Sequence, residues 1–310
     1  MLHPDWNTYL EEFRDYLKQE RALADNSLTA YLSDVEKLQQ FADVEDWEQS
    51  PLELQQSDLL NFIAYIYNLG MSAPSQARIL VGVKAFYKFL LHRDLIDDDP
   101  SVLLEGPKID QKLPDVLSYQ EIEQILSAID LSTAEGVRNR AIIETLYSSG
   151  MRVTELTELR LSNLYADIGF LRVLGKGDRE RIVPVGRDAL KYIKMYTQHV
   201  RNRLEVQAGN EDYVFLNRRG TKLSRVMIFN IVKDATARAG LQKNVSPHTF
   251  RHSFALHLVE GGANLRAVQD MLGHVSITTT EIYTHLDRDY LRQVITECHP
   301  RSKHPIKSRD

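Results

Sequence analysis

Arg152, Lys176, His248, Arg251, His274 and Tyr283 are the residues of this chain whose types and order suggest chemistry. The densest stretch is His248-Thr249-Phe250-Arg251-His252, followed by Leu272-Gly273-His274 and then Tyr283. Three positions apart, His248 and Arg251 share one helix face, where together they can grip one anion. A second histidine and a phenolic hydroxyl follow nine residues apart. Cations, proton carriers and an oxygen nucleophile are sufficient for attack on a phosphodiester without a metal ion. A phenol with an ordinary pKa near 10 is a poor nucleophile, so neighbouring cations are needed to activate it. DNA strand chemistry is the leading expectation.

The elements that must position these groups are legible around them. Ser246-Pro247 supplies a helix cap and a first-turn proline. His248 therefore stands at a helix N-terminus, where backbone N–H groups favour anions such as phosphate. Phe250, Phe254 and Leu258 fall on the inward face, and His252 and His257, off the His248–Arg251 face, read as structural. Gly261-Gly262 ends that helix. Leu265, Val268 and Leu272 mark the next, closed by Gly273, so His274 projects just past a helix end. Ser276 to Thr280 opens a last short helix that carries Tyr283. Upstream, Ser149-Gly150-Met151-Arg152 follows a buried helix and sets Arg152 at a turn, with Glu155 three residues on. Lys176 sits in Gly175-Lys176-Gly177-Asp178, between the strands 170–174 and 181–185 of a hairpin. Singly, an arginine after a glycine or a lysine at a hairpin tip means little; the ordered set carries the signal.

The first hundred residues read as four helices. Trp6, Leu10, Phe13 and Leu17 recur at helical spacing, as do Leu28, Tyr31, Leu32, Val35 and Leu38 after a cap at Asn26 or Ser27. A third helix runs from about Ser57 to Gly70, and a fourth from Pro74 to about His92. Two prolines and alternating charge make 106–117 an extended linker. The expected organisation is a helical domain over 1–105, the linker, and a second domain over 118–310. That second domain opens on a Ser118/Glu121 capping box. Helices are expected at 119–129, 137–149, 187–202 and 224–239, with a short strand at Tyr213–Leu216. Helix then continues to Cys298, ahead of a polar, disordered tail from Arg301 to Asp310. The fold class is mainly α with a small β-hairpin.

Composition narrows the function. At 310 residues the chain is long enough for two cored domains, and 43% hydrophobic with 26% charged residues is ordinary for a globular protein. The absence of a long apolar run and of a secretory start leads us to expect a cytoplasmic protein with no membrane partner. The single cysteine, Cys298, excludes an internal disulfide and a thiolate metal cage. The net charge of −5 hides an asymmetry: residues 1–105 hold 8 Lys/Arg against 19 Asp/Glu, and residues 106–310 hold 30 against 24. The basic excess belongs to the part that carries the motif.

The ordered set of arginine, hairpin lysine, His-x-x-Arg, a Leu-Gly-His histidine and a tyrosine resembles the tyrosine recombinase (phage integrase) family. Gly175 to Pro184 and Ser246 to His285 resemble the Xer-type site-specific recombinases in detail, nearer the XerD than the XerC type. The resemblance implies a two-domain C-shaped clamp on double-stranded DNA, with a SAM-like helical domain at the N-terminus. It implies that Tyr283 is the nucleophile and forms a 3′-phosphotyrosyl bond. Arg152 and Arg251 would neutralise the non-bridging oxygens, Lys176 would protonate the leaving 5′ oxygen, and His248 and His274 would assist. Glu155 would orient Arg152 or His248. Arg78, Lys84 and Lys88 are the expected phosphate donors of the first domain. The resemblance also implies a tetramer, of this chain alone or with a related XerC-like recombinase, exchanging the helix at 287–298. Its role would be resolving chromosome dimers at a dif-like site, with an FtsK-like DNA translocase as activator. A mobile-element integrase of the same chemistry is the alternative role. No extra arm-binding domain is expected ahead of the first helix.

Rival chemistries fit less well. A metal hydrolase built on His248, His252 and His274 lacks His-Glu-x-x-His, and Phe250 stands where its general base belongs. With no Gly-x-x-x-x-Gly-Lys-Ser/Thr loop and no carboxylate cluster suited to magnesium, neither cofactor nor metal is expected. A catalytically silent relative would have lost one of the six residues, and none is missing. A type IB topoisomerase shares the chemistry, but the hairpin context and small size favour recombination.

Overall fold

The computed structural model describes residues 4–47, 49–108, 115–175, 180–273 and 285–303. The chain divides into two units, Met1–Lys112 and Leu113–Asp310. In the first, α1 (Pro4–Asp15) runs into a π-helical turn (Tyr16–Glu20) and is followed by α2 (Asp25–Val44), α3 (Gln56–Asn68) and α4 (Ala73–His92). Trp6, Phe13 and Leu17 are buried, as the helical spacing requires, and meet Phe86 and Phe89 of α4. The Phe13 ring lies 5.4 Å from both of those rings, the geometry of favourable aromatic pairs. α2 starts earlier than a cap at Asn26 or Ser27 would allow. Ala24 holds the cap position without a side-chain bond, and Asp25 places a carboxylate in the first turn, where the helix dipole favours it.

The second unit is built around α6 (Ala134–Ser149). Unlike an amphipathic surface helix, α6 is buried on nearly every side from Val137 onward. Before it comes α5 (Tyr119–Ser127), capped by the Ser118/Glu121 box, and after it α7 (Val153–Thr157). A three-stranded antiparallel sheet follows, in the order β1 (Leu164–Tyr165), β2 (Phe170–Leu174) and β3 (Glu180–Pro184). α8 (Arg187–His199), α9 (Arg225–Arg238), α10 (Pro247–Glu260), α11 (Leu265–Leu272), α12 (His285–Cys298) and α13 (Pro300–Lys303) complete it. α8 and α10 pack directly on α6. Phe250, Phe254 and Leu258 of α10 are fully buried, as their spacing demands. No helix among the described residues is long and apolar enough to cross a membrane.

Several expectations need correction. α6 begins at Ala134, not 137, because Thr133 caps it: its hydroxyl accepts from the Gly136 N–H at 3.0 Å. α8 stops at His199, and a 3-10 turn (Arg201–Arg203) takes the next residues. Tyr213–Leu216 forms only isolated bridges, Tyr213 with Arg160 and Leu216 with Lys222, and joins no sheet. The tail does not begin as a solvated segment. Arg301 is 5% exposed and pairs with Glu144 and, at 2.6 Å, with Glu123. Glu144 is fully buried on α6, and Arg140 reaches it at 3.0 Å. A carboxylate so deep needs several donors, and Arg301 adds to them.

α12 lays Leu291, Val294 and Ile295 into the core of its own unit, and the chain then buries His299 completely. Nδ1 of His299 accepts from the Arg301 backbone N–H at 3.2 Å, and its Nε2 faces the Tyr147 carbonyl at 3.3 Å. That arrangement requires the neutral ring, and burial lowers the pKa from 6.5 to about 3. A histidine depressed in the folded state contributes stability that is complete above the unfolded pKa. It is lost as pH falls from 6.5 towards the folded value. The melting temperature should therefore fall more steeply between pH 6.5 and about pH 4 for the natural chain than for His299→Gln. Parallel melting curves across that range would show that His299 contributes nothing to acid sensitivity.

Candidate active site

Three arginines from three segments converge on the C-terminal turn of α11. Arg181 Nε donates to the Met271 carbonyl at 3.2 Å, Arg251 Nη2 to Leu272 at 2.6 Å, and Arg152 Nη2 to Gly273 at 3.2 Å. The last carbonyls of a helix have no intrahelical partner and carry the negative end of its dipole. Here each successive oxygen takes a guanidinium. Gly273, at φ 65°, makes the left-handed turn that ends α11. A Cβ there would stand 3.0 Å from Arg181 Cδ and Nε, so any other residue would strain the backbone and press the arginine aside by a few tenths of an ångström.

Glu155 is the anion that balances this group. Gly150, at φ 59°, ends α6, and Arg152 takes the N-cap position of α7 with Glu155 at the third helical residue. One Glu155 oxygen accepts from the Arg152 backbone N–H at 2.7 Å, and the other from Arg152 Nη1 at 3.1 Å. Both oxygens also accept from the Arg181 fork, at 2.5 and 2.8 Å. The carboxylate is 3% exposed. Burial pushes its pKa up, but the hydrogen bonds and charge of Arg181, with the Arg152 bonds, outweigh burial and hold it below the usual carboxylate range.

Arg251 ties two helix ends together, since its Nη1 donates to the Gly150 carbonyl at 2.7 Å while Nη2 holds Leu272. A Cβ on Gly150 would lie 2.3 Å from Phe254 Cδ1, so α6 can end against α10 only with glycine there. Burial, then the Arg152 charge, pulls Arg251 down to about 10, which leaves it protonated at neutral pH. His248 follows Pro247 in the first turn of α10, where the Ser246 hydroxyl accepts from the Thr249 N–H at 3.3 Å. Its ring is exposed at the surface. Partial desolvation lowers its pKa, with His252, Arg251 and Arg152 adding to the shift, so the neutral imidazole can accept a proton.

Of the residues singled out by sequence, Arg152, Glu155, His248 and Arg251 gather here. Lys176, His274 and Tyr283 lie outside the described residues. In the sequence, Lys176 follows β2 after one residue, and His274 directly follows Gly273. His257 is buried and bonded to the Tyr147 hydroxyl at 2.9 Å. Arg181 went unnoticed, although its strand parity gave a signal: it pairs with Val173 and shares the inward face with Val183. In the first unit, Arg78 pairs with the buried Asp34 at 2.7 Å. Lys84 reaches the Val102 carbonyl at 3.3 Å, and Lys88 is exposed on α4.

Residues 115–289 match the Phage integrase family, and residues 10–94 match the Phage integrase N-terminal SAM-like domain. The tyrosine recombinase XerD of Listeria monocytogenes serotype 4b (strain F2365) is 40% identical over 296 residues, covering 96% of this chain and all of the relative. Its namesake from Staphylococcus epidermidis (strain ATCC 35984) is 39% identical over 297 residues, with the same coverage. Among solved structures, XerH site-specific recombinase bound to difH substrate aligns with a TM-score of 0.66 at 24% identity. That alignment covers 92% of this chain and 83% of XerH.

The arginine–Glu155 cluster has a measurable energetic consequence. Removing one partner of a buried ion pair costs about 3 kcal/mol or more, because the remaining charges are left uncompensated. Glu155→Leu should lower unfolding stability by about that amount in urea titrations. A loss below about 0.5 kcal/mol, typical of an inert surface change, would contradict the assignment of Glu155 as the counter-ion.

Proposed function

Because this chain belongs to the phage integrase family and is a tyrosine-type site-specific DNA recombinase, we propose that Tyr283 attacks the scissile phosphate and forms a 3′-phosphotyrosyl bond. Arg152 and Arg251 neutralise the two non-bridging oxygens as charge builds in the pentavalent transition state. Guanidinium suits that task because its planar fork matches phosphate and never loses its charge near neutral pH. His248 takes the phenolic proton, Lys176 gives a proton to the departing 5′ oxygen, and His274 donates a hydrogen bond to the phosphate. Attack by a 5′-hydroxyl on the phosphotyrosine then rejoins a strand and returns the phenol. The ester conserves the bond energy, so rejoining needs no nucleotide hydrolysis.

One observation carries the proposal. Arg152 and Arg251, far apart in sequence, end on adjacent carbonyls of the turn that leads into residues 274–284. Two cations so placed, beside a neutral His248, form a site for one phosphate diester next to the segment that bears the tyrosine.

The first unit would hold the same duplex through the exposed side of α4. Lys88 is open to solvent there, Arg78 meets Asp34 through Nη1 alone, and Lys84 spends one donor on Val102, so both keep donors to offer. The XerD relatives, matched over their full lengths, favour a cytoplasmic enzyme acting on double-stranded DNA at a dif-like site in chromosome segregation. Four protomers would assemble on two such sites, of this chain alone or with a XerC-like partner, under a DNA translocase. Exchange of α12 between protomers would require it to leave the core in which Leu291, Val294 and Ile295 now lie.

Tyr283→Phe should bind a nicked suicide substrate as the natural chain does and yield no covalent protein–DNA adduct on a denaturing gel. Adduct formation by Tyr283→Phe would overturn the nucleophile, and Tyr290, exposed on α12, would be the next to test.

A further inference from the structure

We propose that Arg181 is a positioning residue of the reaction: it sets the guanidinium of Arg152 by gripping Glu155 and bracing the α11 turn. The inference rests on Arg152 serving as a ligand of the scissile phosphate.

Period-two alternation puts Arg181 on the inner face of the sheet, opposite Val173 and in line with Val183, where an arginine can remain only if its donors are met. All three of its guanidinium nitrogens are engaged. The fork closes on both oxygens of Glu155, and Nε donates to the Met271 carbonyl. The stem and guanidinium lie flat against Gly273, within 3.0 to 3.1 Å of where a Cβ would stand. The Arg181 fork is spent on a full carboxylate charge, whereas Arg251 ends only on backbone carbonyls, so Arg181 is the one committed within the protein. Arg152 is different: 36% of its side chain is open to solvent.

The chain of contacts is therefore Arg181 to Glu155 to Arg152. Glu155 has two oxygens and four donors directed at it, three from guanidinium groups and one from the Arg152 backbone. If Arg181 is removed, Glu155 is free to turn and take more of the Arg152 fork, drawing that guanidinium from the position where it would meet phosphate. Because Arg181 also props Met271 and Gly273, it fixes the carbonyl that Arg152 Nη2 uses. Lysine cannot substitute, since a single ammonium cannot occupy two carboxylate oxygens and a carbonyl in one plane.

The test uses the full-length protein on suicide substrates carrying either the natural phosphodiester or a methylphosphonate at the scissile position. The methylphosphonate is uncharged, so a cation that serves to neutralise a non-bridging oxygen is no longer needed. Arg181→Lys and Arg181→Met should bind uncleaved DNA within about 2-fold of the natural chain, as expected for a group that does not touch phosphate. On the phosphodiester, single-turnover cleavage should fall by about 10- to 100-fold, the scale of a misplaced catalytic group. On the methylphosphonate the defect should shrink to about 3-fold or less, as for Arg152→Ala, because the misplaced charge is no longer required. If the single variants do not fold, Arg181→Met/Glu155→Gln removes both members of this ion pair together, leaving neither without the other, and should fold. It too should show the phosphodiester defect and its relief.

Cleavage at the natural rate would overturn the proposal, as would an equal defect on both substrates, the mark of a merely structural loss. Relief for Arg152→Ala but not for the Arg181 variants would overturn this inference alone. No relief for Arg152→Ala would overturn the role of Arg152, and this inference with it.

Discussion

Arginines of like charge do not gather at one helix end without compensation, and the second unit is organised around supplying it. Two guanidinium charges about 5 Å apart repel by roughly 3 kcal/mol at an effective dielectric of about 20. Against that, the α11 C-terminus offers three carbonyls in sequence, and Glu155 offers a full negative charge. The same oxygens that hold the arginines in the free protein leave the exposed part of Arg152 available to a stronger anion. A phosphate diester meets that description. In the free protein the site is thus a cation pair whose donors are partly occupied by backbone, as the proposed role requires.

The rest of the unit explains why that turn stays in place. α6 forms the buried axis, and its end at Gly150 is pressed against Phe254, which fixes where α10 begins and hence where Arg251 points. Arg251 then ties Gly150 to Leu272, closing α6 onto α11. At the opposite end of the sequence, His299 and Arg301 fasten the C-terminal helices to α6 through Tyr147 and Glu144. One helix therefore anchors both the arginine cluster and the C-terminal segment.

Much of this was legible in the sequence, because local signals survived into the fold. The Ser118 and Ser246 caps, the stripe of Phe250, Phe254 and Leu258, the first hairpin strand and the Gly150 and Gly273 stops stand where pattern placed them, and the second strand is shifted by one residue to Glu180–Pro184. What escaped depended on distant partners. Arg181 reads as one more charge on a hairpin until Glu155, from another segment, is seen beneath it. Arg301 reads as tail because its carboxylates lie on α5 and α6, far upstream. Arg78 reads as a free cation on α4, but Asp34 of α2 takes it. In each case the side chain's own neighbourhood gives its charge and not its counter-ion, and only tertiary packing supplies the latter.

A structure of the protein bound to uncleaved target DNA tests the pairing of Arg152 and Arg251 on one phosphate most directly. Guanidinium nitrogens of Arg152 and of Arg251 should lie within hydrogen-bond distance, about 3 Å, of different non-bridging oxygens of one phosphate. Glu155 should remain clamped by Arg181 in that complex. A complex in which the two arginines hold different phosphates, or keep only their carbonyl partners while the scissile phosphate lies elsewhere, would contradict that pairing.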